Sequence, residues 1–298
     1  MRLWGIDLGG TKIECAVLEN DQTLVRRRLP TEAEKGYTHI LAQIEKLIVQ
    51  TAAEIGEKPS KIGFATPGVL DADTRTMKNS NTVALNGKPL QKDLEDLLKA
   101  EIKLANDANC FALAEALLGA GGEFPGAPLV FGVIMGTGVG GGLVANGKII
   151  EGVHGIAGEW GHNILEENGA PCYCGKRGCV ETVISGVALE KYYGEKSGEK
   201  LKLKQIVEKY LIGSDEAATA TIERLLDFYG RAVSTLINVL DPNLIVIGGG
   251  VGNVDLLYTE GRERVKKYVF NQGELKTVIA KPILGDSAGV FGAALLFK

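Results

Sequence analysis

A strand, a glycine-rich turn, a second strand and a hairpin occur twice in this chain, about 127 residues apart, and this repeat limits the fold more than any other feature. In the first copy Leu3 to Leu8 run into Gly9 and Gly10, Ile13 to Leu18 follow, and Glu19-Asn20-Asp21 turns into a third strand. In the second copy Leu129 to Met135 run into Gly136-Thr137-Gly138, and Leu143 to Ala145 lead to an Asn146-Gly147 hairpin signal. The repeat predicts two related α/β halves with a nucleotide between them. The length of 298 residues suits two domains.

Helical spacing places Ile40, Leu41, Ile44, Leu47, Ile48 and Thr51 on one face. Ile62 to Ala65 reads as a short buried strand ending at Thr66-Pro67-Gly68. Residues 93 to 100 read as helix, Ile102 to Ala105 as strand, and Ala108 to Leu118 as helix. Ile222, Leu225, Leu226, Tyr229, Val233, Leu236, Ile237 and Leu240 mark a long amphipathic helix, stopped by Asp241-Pro242-Asn243. Leu244 to Ile247 form a strand that runs into Gly248-Gly249-Gly250, and the chain closes with a strand near Val278 and a terminal helix after Asp286. The charge cluster from Glu195 to Lys204 reads as solvated surface.

Glycine is the compositional outlier, with 40 residues where about half as many are usual. The glycines cluster in turns without a three-residue period, which excludes collagen. The net charge of −4 offers no basic field for nucleic acid. The uncharged stretch from Phe124 to Gly147 is long enough to span a bilayer, but its eight glycines and two prolines argue against a spanning helix. Five cysteines, three of them within eight residues, do not make a disulfide framework in a chain of this size. A soluble protein of the reducing cytoplasm is expected.

Each glycine turn follows an apolar strand, as a phosphate cradle requires. Without a Cβ in the way, backbone N–H groups can point at an anion. In Asp7-Leu8-Gly9-Gly10-Thr11-Lys12, Thr11 adds a hydroxyl donor, Lys12 a positive charge, and Asp7 a carboxylate able to hold Mg²⁺ through water. The spacing matches neither the P-loop nor the Rossmann glycine pattern. A tight hairpin turn accounts for one such glycine pair, but three clusters favour nucleotide. His162, Cys172, Cys174 and Cys179 form H-x9-C-x-C-x4-C, the donor set of a closed tetrahedral Zn²⁺ site. Lys176 and Arg177 beside the thiolates favour the ionised form. Cys15 and Cys110 sit in apolar surroundings and read as core.

Asn106-Asp107 lies between a strand and a helix, where either residue suits an N-cap. Asp107 there also reads as a general base for an alcohol attacking phosphorus. Glu159, three residues before His162, and Glu181, two after Cys179, would be fixed by the metal knuckle to hold vicinal sugar hydroxyls.

These motifs together resemble the ROK family (repressor, open reading frame, kinase). The resemblance covers essentially the whole chain and rests on the motifs at 7–12, 105–109, 136–140, 158–162, 172–181 and 247–250. It implies an α/β, actin-like (ribonuclease H-like) two-domain ATPase fold with an interdomain cleft. The expected division is 1–120 plus 287–298 as a small N-terminal domain and 121–286 as a large domain carrying the zinc knuckle. The resemblance implies an ATP-dependent kinase acting on the 6-hydroxyl of a hexose, with Mg²⁺ and Zn²⁺ as cofactors and a homodimeric assembly. Asp107 would be the base. Gly68, Asn81, Asn106, Asp107, Glu159, His162 and Glu181 would hold the sugar, with His162 serving metal and sugar alike. Asp7, Gly9, Gly10, Thr11, Lys12, Gly136, Thr137, Gly138, Gly248, Gly249 and Gly250 would hold the nucleotide. Within the family, Lys78-Asn79-Ser80-Asn81, Leu85-Asn86-Gly87 and Cys172-Tyr173-Cys174-Gly175-Lys176 resemble bacterial fructokinases and mannofructokinases, so fructose is the first expected acceptor, with mannose or glucose behind it. Gly87-Lys88-Pro89-Leu90 resembles the N-acetylglucosamine kinases and makes N-acetylglucosamine or N-acetylmannosamine the alternative. A non-catalytic sugar-sensing regulator is the alternative class. With the first glycine turn expected to hold phosphate beginning at residue 7, no DNA-binding helix-turn-helix is expected ahead of it, and Lys12 and Asp107 are both present.

Overall fold

A computed structural model describes residues 1–124, 127–271 and 273–298. In chain order the elements are β1 (Arg2–Leu8), β2 (Lys12–Glu19), β3 (Gln22–Pro30), α1 (Tyr37–Ile55), β4 (Lys61–Thr66), β5 (Val69–Leu70), β6 (Met77–Lys78), α2 (Leu90–Leu98), β7 (Glu101–Asn106) and α3 (Asp107–Leu117). The chain continues with β8 (Leu129–Met135), β9 (Val139–Ala145), β10 (Lys148–Ile149), α4 (Val180–Ile184), α5 (Gly186–Ser197), α6 (Leu203–Ile212) and α7 (Glu216–Leu240). It ends with β11 (Leu244–Gly248), α8 (Gly249–Gly252), α9 (Glu260–Tyr268), β12 (Val278–Ala280) and α10 (Ala288–Leu295). No helix among the described residues is long and apolar enough to cross a membrane.

The internal repeat becomes two five-stranded sheets with the same strand order, β3-β2-β1-β4-β7 and β10-β9-β8-β11-β12. In the first sheet, β1, β2 and β3 pair antiparallel and β1, β4 and β7 run parallel. In the second, β8, β11 and β12 run parallel. This is the ribonuclease H-like order that the resemblance implies. The hairpins close where the sequence predicts, with positive φ at Asn20 (52°) and Asp21 (64°), and again at Asn146 (50°) and Gly147 (73°).

The chain divides into two compact units, residues 1–122, 142–157 and 284–298 in one, and 123–141 and 158–283 in the other. Residues 142–157, together with 121–122 and 284–286 at the borders, belong to the first unit, whereas the sequence analysis expects them in the large domain. For 142–157 the cause is steric. Gly142 lies against α3, where a Cβ would stand 2.5 Å from the Ala108 carbonyl oxygen and 2.7 Å from Asn109 Cα. Only a glycine lets the end of β9 pack that closely. Pro125 and Gly126, within the expected border at 119–128, lie outside the described residues.

In the first unit the predicted face of α1 is buried through Ile40, Ile44, Leu47 and Ile48, with Trp4, Ile6, Leu8, Ile62 and Phe64 of the sheet in the same core. The terminal helix α10 packs on β1, β4 and α3. Its approach depends on bare backbone: a Cβ on Gly63 would collide with the Ala293 carbonyl, and one on Gly292 with the Cys110 carbonyl. In the second unit α7 buries Ile222, Leu225, Leu226, Tyr229, Val233, Leu236 and Ile237, the stripe read from the sequence.

Candidate active site

In the first unit, the turn between β1 and β2 is held by its own backbone. Gly9 N donates to Lys12 O at 3.0 Å, and Thr31 Oγ1 donates to Gly9 O at 2.6 Å. Gly10, Thr11 and Lys12 are exposed. Asp7, on β1, pairs across the strands with Glu14 of β2. Its pKa is raised from 3.8 to about 6, first by burial, then by the carboxylates of Asp107 and Glu14. Glu14 is itself buried and holds Arg26 at 2.9 Å and Arg28 at 2.7 Å. The two-residue period of a strand puts these two arginines on one side of β3, while Arg27 reaches Glu54 at 2.6 Å. The sequence analysis does not anticipate this pair of ion pairs beside Asp7; the three consecutive arginines of β3 are the available signal.

Asn106 ends β7 and caps α3, its Oδ1 accepting from Ala108 N at 2.9 Å, and Asp107 Oδ1 accepts from the same N–H at 2.8 Å. The capping and catalytic readings of this pair are therefore compatible. A carboxylate in the first turn of a helix is favoured as the anion. Gly68 has φ 146°, and a Cβ there would stand 2.7 Å from the Lys78 carbonyl oxygen. Asn81 is exposed in the loop that Asn86 clamps by accepting from Ser80 N and donating to Ser80 O, both at 2.9 Å. A Cβ on Gly10 would meet Thr82 Oγ1 of that loop at 3.2 Å, which puts the β1–β2 turn beside Asn81's loop.

In the second unit, Gly136-Thr137-Gly138 joins β8 to β9, with Gly136 N donating to Gly138 O at 2.9 Å and Gly186 N to Gly136 O at 2.8 Å. Gly248 ends β11, and Gly249 (φ 82°) turns the chain against Met135 so closely that a Cβ would meet its backbone. The two turns share one cavity of about 870 Å³, whose lining includes Gly136, Thr137, Leu203, Val207, Gly250 and Val254. Lys202, Leu203 and Lys204 belong to that wall, and the charged residues of the cluster from Glu195 to Lys204 are exposed, as expected of solvated surface. The chain folds back there because Glu190 accepts from Lys202 Nζ at 2.9 Å and from Leu203 N at 3.2 Å.

His162, Cys172, Cys174 and Cys179 converge, with their ligand atoms all within 4.8 Å of one another. Cys174 Sγ is 3.6 Å from Cys179 Sγ, and Cys172 Sγ is 3.5 Å from His162 Nδ1. A tetrahedral ion roughly 2.3 Å from sulfur and 2.0 Å from nitrogen sets donor separations of about 3.5–3.8 Å, so the set fits Zn²⁺. Bridges Ile164–Cys179 and Pro171–Arg177 and the bond from Cys172 N to Lys176 O (2.8 Å) wrap the backbone around that point. The Lys176 backbone N–H lowers the Cys174 pKa, while burial and then its two thiol neighbours push Cys179 up to about 12. Cys15 and Cys110 are buried apart from this cluster, as expected.

Two carboxylates flank the knuckle. Glu159 precedes the short turn of Trp160–His162, and His162 N donates to its carbonyl at 3.2 Å. Partial desolvation, then the charge of Glu181, raises the Glu159 pKa, while His162 opposes the rise. Glu181, in α4, has one oxygen engaged: Oε2 accepts from Val139 N at 3.0 Å beneath the β8–β9 turn. The remaining nitrogen of His162, Nε2, lies 3.0 Å from the Tyr173 hydroxyl. Nothing in the Cys172-Tyr173-Cys174 pattern marks Tyr173 for this contact.

Known proteins similar to this chain identify its family. The ROK family model matches residues 3–298. The N-acetyl-D-glucosamine kinase of Yersinia pseudotuberculosis is 39% identical, with 98% of each chain covered. The ROK hexokinase of Thermus thermophilus superposes with a TM-score of 0.89 at 31% identity, covering 99% of this chain and 97% of that one. A ROK family glucokinase from Streptomyces griseus, solved with glucose and AMPPNP, gives 0.79 at 25% identity, with 99% of each chain covered. The fold is the actin-like two-domain ATPase fold, and the chain belongs to the ROK family.

Proposed function

We propose that the protein is an ATP-dependent sugar kinase that transfers the γ-phosphate to the 6-hydroxyl of N-acetylglucosamine. The observation that carries the acceptor is the 39% identity to an N-acetyl-D-glucosamine kinase over 98% of both chains. This reverses the order of acceptors expected from the sequence. The short matches at 78–87 and 172–176 favoured fructose, whereas the full-length relatives favour the amino sugar. N-acetylmannosamine, the other acetamido hexose, is the nearest competitor.

In this reading Asp107 accepts the proton of the 6-hydroxyl as its oxygen bonds to phosphorus and the bond from phosphorus to the ADP oxygen breaks. Asn106, Glu159, His162 and Glu181 hold sugar hydroxyls, with Gly68 and Asn81 completing the set. Gly10, Thr11 and Lys12 and, in the second unit, Thr137 and Gly138 offer N–H, hydroxyl and ammonium donors to the phosphates on turns braced by Gly9 N and Gly136 N, and the 870 Å³ cavity takes the nucleoside. Asp7 is the residue for Mg²⁺, which when bound neutralises phosphate charge. The His162–Cys172–Cys174–Cys179 set is the residue group for Zn²⁺, which when bound cross-links the loop between Glu159 and Glu181.

Sugar-dependent ADP release tests this reading over N-acetylglucosamine, N-acetylmannosamine, fructose, mannose and glucose. The highest kcat/KM is expected for N-acetylglucosamine. A preference for fructose would restore the first expectation, and binding of sugar without ADP release would favour a non-catalytic sugar sensor.

A further inference from the structure

Tyr173 stands between two of the four metal-binding residues, Cys172 and Cys174. It is 84% exposed, so burial does not account for an aromatic there. Its ring meets the His162 imidazole edge-on, with centroids 5.1 Å apart at 86°, and its hydroxyl is 3.0 Å from Nε2. Among the described residues that hydroxyl makes no other hydrogen bond. His162 Nδ1 is turned toward Cys172 Sγ at 3.5 Å. With Nδ1 committed to the metal set, the single ring proton sits on Nε2, which then has one N–H to give. Tyr173 Oη takes it. The sugar-holding role proposed for His162 needs the same N–H, and one donor cannot serve both oxygens fully.

We propose that Tyr173 is a displaceable cap on the sugar-positioning nitrogen of His162, and so a specificity-determining residue. A sugar is retained when it brings an oxygen that replaces the phenol at Nε2. A sugar lacking that oxygen leaves the cap in place. The cap also keeps the N–H satisfied when no sugar is bound. Its release leaves the metal loop intact, because the turn is held by backbone bonds from Cys172 N to Lys176 O (2.8 Å) and Gly175 N to Cys172 O (3.0 Å), not by the phenol. The inference rests on the reading that His162 contacts the acceptor.

The test is calorimetric titration of the zinc-loaded full chain with N-acetylglucosamine and, separately, AMPPNP, for wild type, Tyr173→Phe and Tyr173→Ala. Zinc content is measured on each sample. Removing the competing hydroxyl should tighten sugar binding about three- to tenfold, the equivalent of one ordinary hydrogen bond. Both variants should keep wild-type zinc content and AMPPNP affinity. Unchanged or weaker sugar binding by Tyr173→Phe, with zinc and AMPPNP unaffected, would overturn the cap. Zinc loss from Tyr173→Phe would overturn it too, by making the residue a strut of the metal loop. Failure of the wild type itself to bind N-acetylglucosamine would instead remove the acceptor reading, and this inference with it.

Discussion

Replacing Asp7 by asparagine should stabilise the unliganded protein at neutral pH while disabling phosphoryl transfer. Burial and the carboxylates of Asp107 and Glu14 raise the Asp7 pKa to about 6 from 3.8. The folded chain therefore holds this proton more tightly than the unfolded chain does. The resulting stability is full below pH 3.8 and is lost as pH rises through about 6. Above that, the ionised carboxylate is a constant cost. Two pKa units correspond to about 2–3 kcal/mol, taking the lower part of that range for the side chain's residual exposure. Asparagine has nearly the same shape and no charge, so Asp7→Asn should recover this at pH 7.5 and well under about 1 kcal/mol at pH 4. Denaturant unfolding without Mg²⁺ or nucleotide, followed by fluorescence of the buried Trp4 on the same strand, measures the difference. Activity should fall by more than about 100-fold with the loss of the charge proposed to hold Mg²⁺. A variant less stable than wild type at pH 7.5, or one offset equally at pH 4 and 7.5, would refute the reasoning.

Three further outcomes are expected. Asp107→Asn should keep sugar binding but lose on the order of 10²–10⁴-fold in kcat, and near-normal turnover would reduce Asp107 to a helix cap. Gly138→Ala should cost about 0.5–1.5 kcal/mol in chemical denaturation, because the new methyl group would push the end of the Glu181 side chain aside and break its bond to Val139 N. An unchanged midpoint would mean that the carboxylate moves aside freely. Mild chelation should weaken sugar binding more than nucleotide binding in separate titrations, since the knuckle carries His162 and lies beside Glu159 and Glu181. Equal loss of both affinities would give the metal a purely structural role.

The repeat was legible because its parts are local. A buried strand, a glycine turn and an Asn-Gly hairpin each carry a short-range signal, and the two related halves follow from their duplication, while the strand order rests on the family resemblance. The metal set was legible for the same reason, three of its donors lying within eight residues. Most of what escaped the sequence reading depends on distant partners. Helix α5 has only a weak apolar period, whereas α6 carries Leu203, Ile206, Val207, Tyr210 and Leu211 at helical spacing, a signal the sequence analysis leaves unused, and Glu190 draws the Lys202–Leu203 turn back from twelve residues away. The assignment of residues 142–157 to the first unit depends on Gly142 touching α3, a contact that strand periodicity does not encode. Tyr173 escaped because its partner is a ring nitrogen whose direction is set only once the knuckle closes. The acceptor was misordered for a different reason. Short loop matches outweighed a likeness that shows only over the whole length.

The central claim is phosphoryl transfer to the 6-hydroxyl of N-acetylglucosamine, and phosphorus NMR of the reaction mixture tests it most directly. With ATP, Mg²⁺ and N-acetylglucosamine, a new phosphomonoester signal coupled to a CH₂ group should appear in step with ADP and vanish with Asp107→Asn. Growth of inorganic phosphate alone, or of an ester coupled to a ring CH, would contradict the account.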